Sequence, residues 1–231
     1  KKRFPVFEKN PNLVFFDTAA SALKVDNMIK AVNECYSFEY ANIHRGIYEL
    51  SSKLTKRYED SRFQVSKFIN SPSANNIIFT KSATEGINLV SSCLSKNYLN
   101  DGDEVLISSL EHHANLVPWH LVSKKIKIIS TDLKPSGELD YDDLLKKINS
   151  KTKLLAITHM SNVTGSITNF EEIKTKAKKF NVPILIDGCQ YVPHKKIDIK
   201  DLDPDFYVFS AHKLYGPSGL GVLYMKDNWI D

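Results

Sequence analysis

Cysteine, methionine and long hydrophobic runs are scarce in this sequence of 231 residues. The three cysteines, Cys35, Cys93 and Cys189, are widely spaced, which argues against a disulfide framework and against a cysteine-rich metal site. No apolar run approaches the roughly 18 residues that span a bilayer, and no signal peptide is visible. We therefore expect no membrane association and no secretion, but a reducing compartment: the cytoplasm, or an organelle stroma or matrix.

A marked excess of one charge sign is also missing. The chain has 31 basic and 27 acidic residues, for a formal net charge of +4. The basic residues are scattered, and runs such as 174–179 are typical of a solvated helix or loop face. We therefore expect no nucleic-acid partner. Apolar residues make up 42% of the chain, which is enough for a core of ordinary size.

Short apolar segments alternate with amphipathic segments along most of the chain. The segments that predict strands are 77–80, 105–108, 126–130, 154–158, 184–187, 206–209 and 220–225. Several are continuously apolar, as in strands buried on both faces of a parallel sheet. Helical spacing of apolar residues predicts helices at 54–69, 140–149 and 170–180.

The alternation predicts an α/β fold with a mainly parallel seven-stranded sheet and helices on both faces. We expect residues 25–231 to form one domain and residues 1–24 to form an N-terminal arm. No internal repeat and no linker rich in proline, glycine or serine divides the chain.

The segment 206–223, FYVFSAHKLYGPSGLGVL, carries the strongest functional pattern. An apolar strand delivers Ser210, His212 and Lys213 to its carboxyl end, where ligands of open α/β sheets bind. The glycines that follow allow a tight turn close to a ligand. A lysine desolvated there can attack an aldehyde. We therefore expect Lys213 to hold pyridoxal phosphate (PLP) rather than to lie on the surface.

Asp187 ends the apolar strand of the segment ILIDGCQ. A carboxylate in that position needs a partner, and the protonated ring nitrogen of PLP is one, since the pair keeps the ring an electron sink. A helix N-cap and a Mg²⁺ ligand are alternatives for Asp187. Gln190, three residues later, is placed to donate a hydrogen bond to the phenolic oxygen of the ring.

The segment 77–90, IIFTKSATEGINLV, predicts a strand, a polar turn and a helix that opens at Ala83, Thr84 and Glu85. Free backbone N–H groups at a helix start bind phosphate, and Thr84 adds a hydroxyl. Threonine before glutamate is also an ordinary capping arrangement. The segment lacks the glycine spacing of a dinucleotide site or a P-loop.

Histidines and an asparagine follow other predicted strands. In 106–119, His112 can lie on one face of the PLP ring and move protons, whereas a metal site built on the adjacent histidine pair is the rival reading. In 155–167, Asn162 can contact the ring or the substrate, and His159 is expected to be structural. His44 lies in a loop before a helix, where a substrate-facing role and a structural role are both open.

These segments together resemble the cysteine desulfurases of the SUF type, within the class V aminotransferase branch of PLP fold type I. The resemblance runs in register from FFDTAASALK at 15–24 to the end of the chain. The motifs that carry it are FSAHKLYGPSGLGVLY, DGCQ, LEHHANLVPW, THMSNVTGS, ATEGINLV and NIHRGIYELS.

The resemblance implies roles for the residues around the PLP ring. Lys213 would carry PLP in a Schiff base, and Asp187 would pair with the pyridine nitrogen. Gln190 would contact the phenolic oxygen, and His112 would stack on the ring and move protons. Asn162 would contact the substrate near the ring.

The resemblance also implies a phosphate site and a substrate side. Thr84, Ser210 and His212 would hold the phosphate with help from the backbone of Ala83. His44 would line the substrate side of the pocket. Family members act as homodimers in which the partner chain supplies part of the pocket.

The implied reaction removes sulfur from L-cysteine, leaves L-alanine and passes a persulfide to an acceptor protein of iron–sulfur cluster assembly. A selenocysteine lyase, another class V aminotransferase and a non-catalytic interaction fragment are the alternatives.

The sequence departs from the family pattern at its C-terminal side. The nucleophilic cysteine and the carboxylate-binding arginine of the family follow the last strand predicted here, and Cys35, Cys93 and Cys189 do not match that cysteine. We expect these three cysteines to be structural or incidental. We further expect a fragment without the C-terminal small domain, which binds PLP weakly or not at all and is inactive alone.

Overall fold

Seven strands form one sheet in the computed structural model, which describes residues 1–230. The strands are β1 Ile77–Thr80, β2 Glu104–Ser108, β3 Lys127–Thr131, β4 Thr152–Thr158, β5 Ile184–Asp187, β6 Phe206–Ser210 and β7 Gly221–Met225. Each predicted strand is present, and no bound differs from its prediction by more than two residues.

The strand order is β1-β7-β6-β5-β4-β2-β3. The five strands from β3 to β6 in this order pair in parallel, whereas β7 pairs antiparallel with both β6 and β1. The prediction of a mainly parallel seven-stranded sheet is confirmed. Because every strand except β7 runs in the same direction, the carboxyl ends of six strands meet at one edge.

Helices cover the sheet, and they include the three predicted from apolar spacing. They are α1 Val6–Lys9, α2 Asp26–Glu34, α3 Glu49–Phe68, α4 Ala83–Asn97, α5 Val117–His120, α6 Tyr141–Lys147, α7 Glu171–Phe180 and α8 Ile199–Leu202. Helix α3 starts five residues before its predicted start because its first turn has a single apolar residue, Leu50, and so shows no apolar spacing. Among the described helices, none is both long and apolar enough to cross a membrane.

The two faces of the sheet bury separate clusters of side chains. In β4, Leu155 and Ile157 pack in a cluster with side chains of α6 and α7. Leu154 and Ala156, the alternate residues of the same strand, pack in a second cluster with α4. Since successive side chains of a strand point to opposite faces, the expected helices on both faces are confirmed.

The end of the predicted N-terminal arm lies across the carboxyl edge of the sheet. The backbone N–H of Ala22 donates to the carbonyl oxygen of His212 at 2.9 Å. The side-chain Nε2 of Gln190 donates to the carbonyl oxygen of Ala19 at 2.8 Å. Ala22 is also buried, so this part of the chain is attached to the domain rather than extended away from it.

Candidate active site

A cavity of about 500 Å³ opens at the carboxyl edge of the sheet. All the site residues proposed from the sequence line it except His44. The volume lies within the range of small-ligand and cofactor sites. Strand ends from distant parts of the chain therefore meet at one cavity.

The start of α4 forms one wall of the cavity. Ser82 is the N-cap, and its side chain accepts a hydrogen bond from the N–H of Glu85 at 3.1 Å. The Glu85 carboxylate in turn accepts from the N–H of Lys81. The capping role is thus filled without Thr84, whose hydroxyl makes no hydrogen bond within the described part of the chain.

Residues of strands β6 and β7 contact the start of α4. The Oγ of Ser210 accepts a hydrogen bond from the N–H of Ala83 at 2.8 Å, which leaves the Ser210 hydroxyl hydrogen for another acceptor. Gly221 lies opposite Ser210 in the ladder. A Cβ added at Gly221 would lie 2.3 Å from the carbonyl carbon of Ser82, so only glycine allows this close approach of β7 to α4.

Asp187 presents a carboxylate to the cavity from the end of β5. The residue is 5% exposed, and its Oδ1 accepts the N–H of Cys189 at 2.9 Å. Within residues 1–230 no hydrogen bond reaches Oδ2. The chain continues in turns rather than a helix, so the helix-cap alternative for Asp187 is wrong.

His112 has a fixed ring orientation in the turn after β2. Its Nδ1 accepts a hydrogen bond from the N–H of Ala114 at 3.1 Å, so a neutral ring carries its proton on Nε2. The rings of His112 and His113 meet edge to face with centroids 6.1 Å apart. In the described part of the chain, no group of three or more His, Cys, Asp or Glu side chains is arranged to hold a metal ion.

Lys213 and His212 follow β6 and are partly buried. Burial lowers the pKa of His212, with smaller contributions from the positive charges of Lys213 and Lys24, so its ring is neutral at neutral pH. Among the side chains that the structure describes, none forms an ion pair or hydrogen bond with Lys213 Nζ. This amine is therefore free to react with a ligand in the cavity.

A family comparison agrees with this arrangement. The model of the family described as Aminotransferase class-V matches residues 14–231. The chain belongs to the class V aminotransferase family.

Its relatives include proteins named cysteine desulfurase. That of Serratia proteamaculans (strain 568) is 44% identical over 229 residues, which cover 97% of this chain and 56% of the relative. The protein of the same name from Wigglesworthia glossinidia brevipalpis is also 44% identical, over 96% of this chain and 56% of the relative. The chain thus spans little more than half the length of these curated relatives.

Solved structures give the same assignment of the fold. The cysteine desulfurase CsdA of Escherichia coli, in an S-sulfonic acid form, matches with a TM-score of 0.89 and 38% identity, covering 99% of this chain and 57% of that one. The apo cysteine desulfurase of Thermococcus onnurineus NA1 matches with a TM-score of 0.91 and 34% identity, over 99% and 56%. The expected large-domain fold of PLP fold type I is confirmed.

His44 lies outside the cavity of this class V aminotransferase chain. Its Nε2 lies 3.6 Å from Oε1 of Glu59, and its ring meets that of Tyr58 edge to face at 5.5 Å. Both partners belong to α3. Within a single chain, therefore, the structure does not bring His44 to the substrate side of the pocket.

Two further predicted residues have contacts that the sequence does not indicate. Gln190 Nε2 already donates one hydrogen bond, to Ala19, so only its second hydrogen is available to a ligand. Cys189 lines the cavity, and burial, with the nearby Asp187 charge, raises the pKa of its thiol well above the ordinary value. A thiol kept protonated is a poor nucleophile, as expected for an incidental cysteine.

Sequence reasoning missed the contribution of the N-terminal segment. Asp17, Ala19 and Ala20 line the cavity. They lie in the FFDTAASALK stretch that the resemblance covers. Alanine side chains carry no reactive group, so only the family resemblance could have indicated that Ala19 and Ala20 line the cavity.

Glu111 was also missed, although it precedes His112. Its carboxyl accepts the N–H of Thr158 at 2.7 Å and Nδ2 of Asn115 at 2.6 Å, and it pairs with the hydroxyl of Ser108. Burial raises the pKa of Glu111 to about 8, against the effect of these hydrogen bonds. Glu111 belongs to the LEHHANLVPW motif, which was interpreted through its two histidines and not through its glutamate.

His159 stabilises the carboxyl end of β5, where Asp187 lies. Its backbone N–H donates to the carbonyl oxygen of Asp187 at 2.8 Å. Its ring stacks on Tyr191 with centroids 3.5 Å apart, and its Nδ1 pairs with the hydroxyl of Tyr207 at 3.0 Å. Burial lowers the pKa of His159 to about 4, in keeping with the structural role expected from the sequence.

Acidification is expected to destabilise the chain through His159. Between the ordinary pKa of 6.5 and the folded-state pKa of about 4, the unfolded state binds the extra proton, so stability is lost as the pH falls. The loss reaches about 3 kcal/mol at the lower end. Urea denaturation at several pH values, compared between wild type and His159→Gln, measures it.

The comparison isolates the histidine because Glu111 is present in both proteins. The raised pKa of Glu111 acts in the opposite direction, since its stabilisation is lost as the pH rises from about 4.5 to about 8. Parallel curves for wild type and His159→Gln across pH 4 to 6.5 would show that His159 does not contribute.

Proposed function

We propose that the protein to which this chain belongs is a PLP-dependent cysteine desulfurase. The observation that carries the proposal is the set of groups around one cavity. Within residues 1–230, the amine of Lys213 and one carboxylate oxygen of Asp187 have no side-chain or backbone partner, and both face the same cavity as the start of α4. Relatives at 44% identity bear the name cysteine desulfurase.

The chemistry of these groups fits PLP. The phosphate needs backbone N–H and hydroxyl donors, and the hydroxyl hydrogens of Thr84 in α4 and Ser210 at the end of β6 have no acceptor among the described residues. The protonated ring nitrogen needs a buried carboxylate, which Asp187 supplies. When bound, PLP supplies an electron sink for negative charge that develops on an amino-acid substrate.

Each residue then has a definite task. Lys213 would bind the aldehyde carbon through its amine, and Asp187 would keep the ring nitrogen protonated. His112 would contact the ring and move a proton at Nε2, because its Nδ1 is engaged by Ala114. Gln190 would orient the ring through its remaining hydrogen.

The phosphate and substrate groups complete the arrangement. Thr84, Ser210 and His212 would hold the phosphate, and the N–H of Ala83 would assist by fixing the Ser210 hydroxyl; the neutral His212 ring has one N–H to donate. Asn162 is exposed on the loop after β4 and lines the cavity, which supports the proposal that it contacts the substrate.

The proposed substrate is L-cysteine. The bond between its Cβ and Sγ would break, the sulfur would form an S–S bond with the thiol of an enzyme cysteine, and Cβ would take up a proton to leave L-alanine. The persulfide sulfur then goes to an acceptor protein of iron–sulfur cluster assembly. Cys189 is not proposed as the enzyme cysteine, because burial keeps its thiol protonated.

We further propose that the protein acts as a homodimer. Large apolar side chains are exposed in one part of the surface, around the loop before α3: Tyr36, Phe38, Tyr40, Ile47 and Tyr48. Exposed apolar patches of this kind mark interaction sites. His44 lies in the same loop, so a partner chain on this surface gives His44 a route to the partner's pocket.

The cofactor assignment is tested by covalent trapping. We expect the 231-residue chain, incubated with millimolar PLP and reduced with borohydride, to carry the label on the peptide that contains Lys213. Peptide mapping by mass spectrometry locates it. A label placed mainly on another lysine would contradict the assignment.

The substrate is tested on the whole protein. We expect sulfide and L-alanine to form in equal amounts from L-cysteine in the presence of a thiol reductant. Release of L-alanine from selenocysteine alone would favour a selenocysteine lyase, and amino transfer to a keto acid would favour an aminotransferase.

A further inference from the structure

Glu111 connects two strand ends that border the cavity. It follows β2, and its Oε1 accepts the N–H of Thr158, the last residue of β4, at 2.7 Å. Strands β2 and β4 are parallel neighbours, but their register ends at Ile107 and Ala156. The carboxyl group therefore continues the connection between the strands beyond the last backbone pairing.

The other carboxyl oxygen fixes the turn that contains His112. Oε2 of Glu111 accepts Nδ2 of Asn115 at 2.6 Å, and Asn115 is fully buried. The backbone N–H of Asn115 donates to the carbonyl oxygen of His112 at 2.8 Å. Within the same turn, the N–H of Ala114 holds Nδ1 of the His112 ring.

From this geometry we infer that Glu111 is a positioning residue, whose carboxyl joins the ends of β2 and β4 and so fixes the turn that presents the His112 ring to the cavity. The inference rests on the proposed function, because that function places the His112 ring over PLP. Glu111 itself does not line the cavity, so it acts through His112 and not on a ligand.

The neutral form of the side chain is sufficient for this role. Burial raises the pKa of Glu111 to about 8, so most of the carboxyl is protonated at neutral pH. Glutamine has the same shape and no charge. The Oδ1 of Asn115 is buried without a partner in the part of the chain that the structure describes, and it can accept the new N–H if its amide group turns over.

The test is nitrogen-15 NMR of the His112 ring in the 231-residue chain without PLP, with the signals assigned through His112→Gln. We expect the Nε2-protonated form in wild type, a mixture of both tautomers in Glu111→Ala, and restoration of the single form in Glu111→Gln. We also expect the Thr158 amide to exchange about tenfold faster in Glu111→Ala, since a buried hydrogen bond is lost.

Two further variants keep the comparison interpretable. Glu111→Asp withdraws the carboxyl by one methylene and is expected to act in the same direction as Glu111→Ala, so it serves if the alanine variant does not fold. Glu104→Gln is the matched control: Glu104 lies at the opposite end of β2 and accepts a hydrogen bond from Asn149, so the His112 signals should not change.

The outcomes separate the inference from the proposed function. Unchanged His112 signals and Thr158 exchange in folded Glu111→Ala or Glu111→Asp would overturn the inference, even if PLP is trapped at Lys213. If the His112 signals respond as expected but wild type takes up no PLP at Lys213, the inference stands and the proposed function fails.

Discussion

Replacing Lys213 with alanine is expected to lower the amount of PLP that borohydride traps on the chain, at millimolar PLP, to the level of the surface lysines. The amine of Lys213 is the one that faces the cavity without a competing ion pair in the described structure. Removing it leaves Asp187 and the start of α4 in place, so non-covalent binding of PLP should persist. Mass spectrometry of the reduced protein measures the trapped fraction, and PLP absorbance measures the rest.

The matched control is Lys213→Arg, which keeps a positive charge but cannot condense with an aldehyde. It should lose the trapped label as completely as Lys213→Ala. Lys24 is the rival amine: its Nζ donates to the carbonyl oxygen of His212 at 3.2 Å, and burial lowers its pKa. Full labelling of Lys24 in the Lys213 variants would transfer the covalent role to that residue.

Gly221→Ala is expected to be the most damaging single methyl addition near the site. The added Cβ would lie 2.3 Å from the carbonyl carbon of Ser82, and backbone cannot rotate away as a side chain can. Overpacking of this kind costs about 3 kcal/mol, which lowers Tm by roughly 10 °C in a chain of this size. Displacing Ser82 also disturbs the start of α4, the proposed phosphate site, so PLP affinity should fall at least about tenfold.

The control for Gly221→Ala is Gly86→Ala, within α4. The nearest atom to its added Cβ is a Val208 side-chain carbon at 3.2 Å, and alanine is favoured over glycine in a helix by about 1 kcal/mol. Thermal unfolding and PLP titration of both variants provide the comparison. Equal effects at Gly86 and Gly221 would mean that the contact of β7 with α4 has no special importance.

The sequence predicts those features that depend on local pattern. Strands such as 184–187 are short apolar runs that end in a polar residue, and the carboxyl edge of a parallel sheet gathers such ends. That rule alone places Asp187, Ser210 and Lys213 around one cavity. The antiparallel direction of β7 was not predicted, because an apolar run buried on both faces looks the same in either direction.

Features that depend on contacts between distant segments could not be predicted from the sequence. The hydrogen bond between Gln190 and Ala19 joins residues 171 positions apart, and nothing in either segment indicates the other. The Glu111 carboxyl accepts a hydrogen bond from Thr158 of β4, which lies 47 positions away in the chain. For His44, the motif gave a plausible role but not the side of the molecule, which is set by its contacts with Glu59 and Tyr58 on α3.

The pairing of β1 with β7 has a consequence for the order in which the chain folds. Ile77 pairs with Tyr224, so β1 and the α4 helix that follows it are synthesised long before their neighbour in the sheet. Contacts between such distant segments form late, because the entropy of closing the intervening loop must be overcome first. The proposed phosphate site at the start of α4 is therefore completed only when β7 docks, and a ligand that needs this site stabilises only the sheet that includes β7.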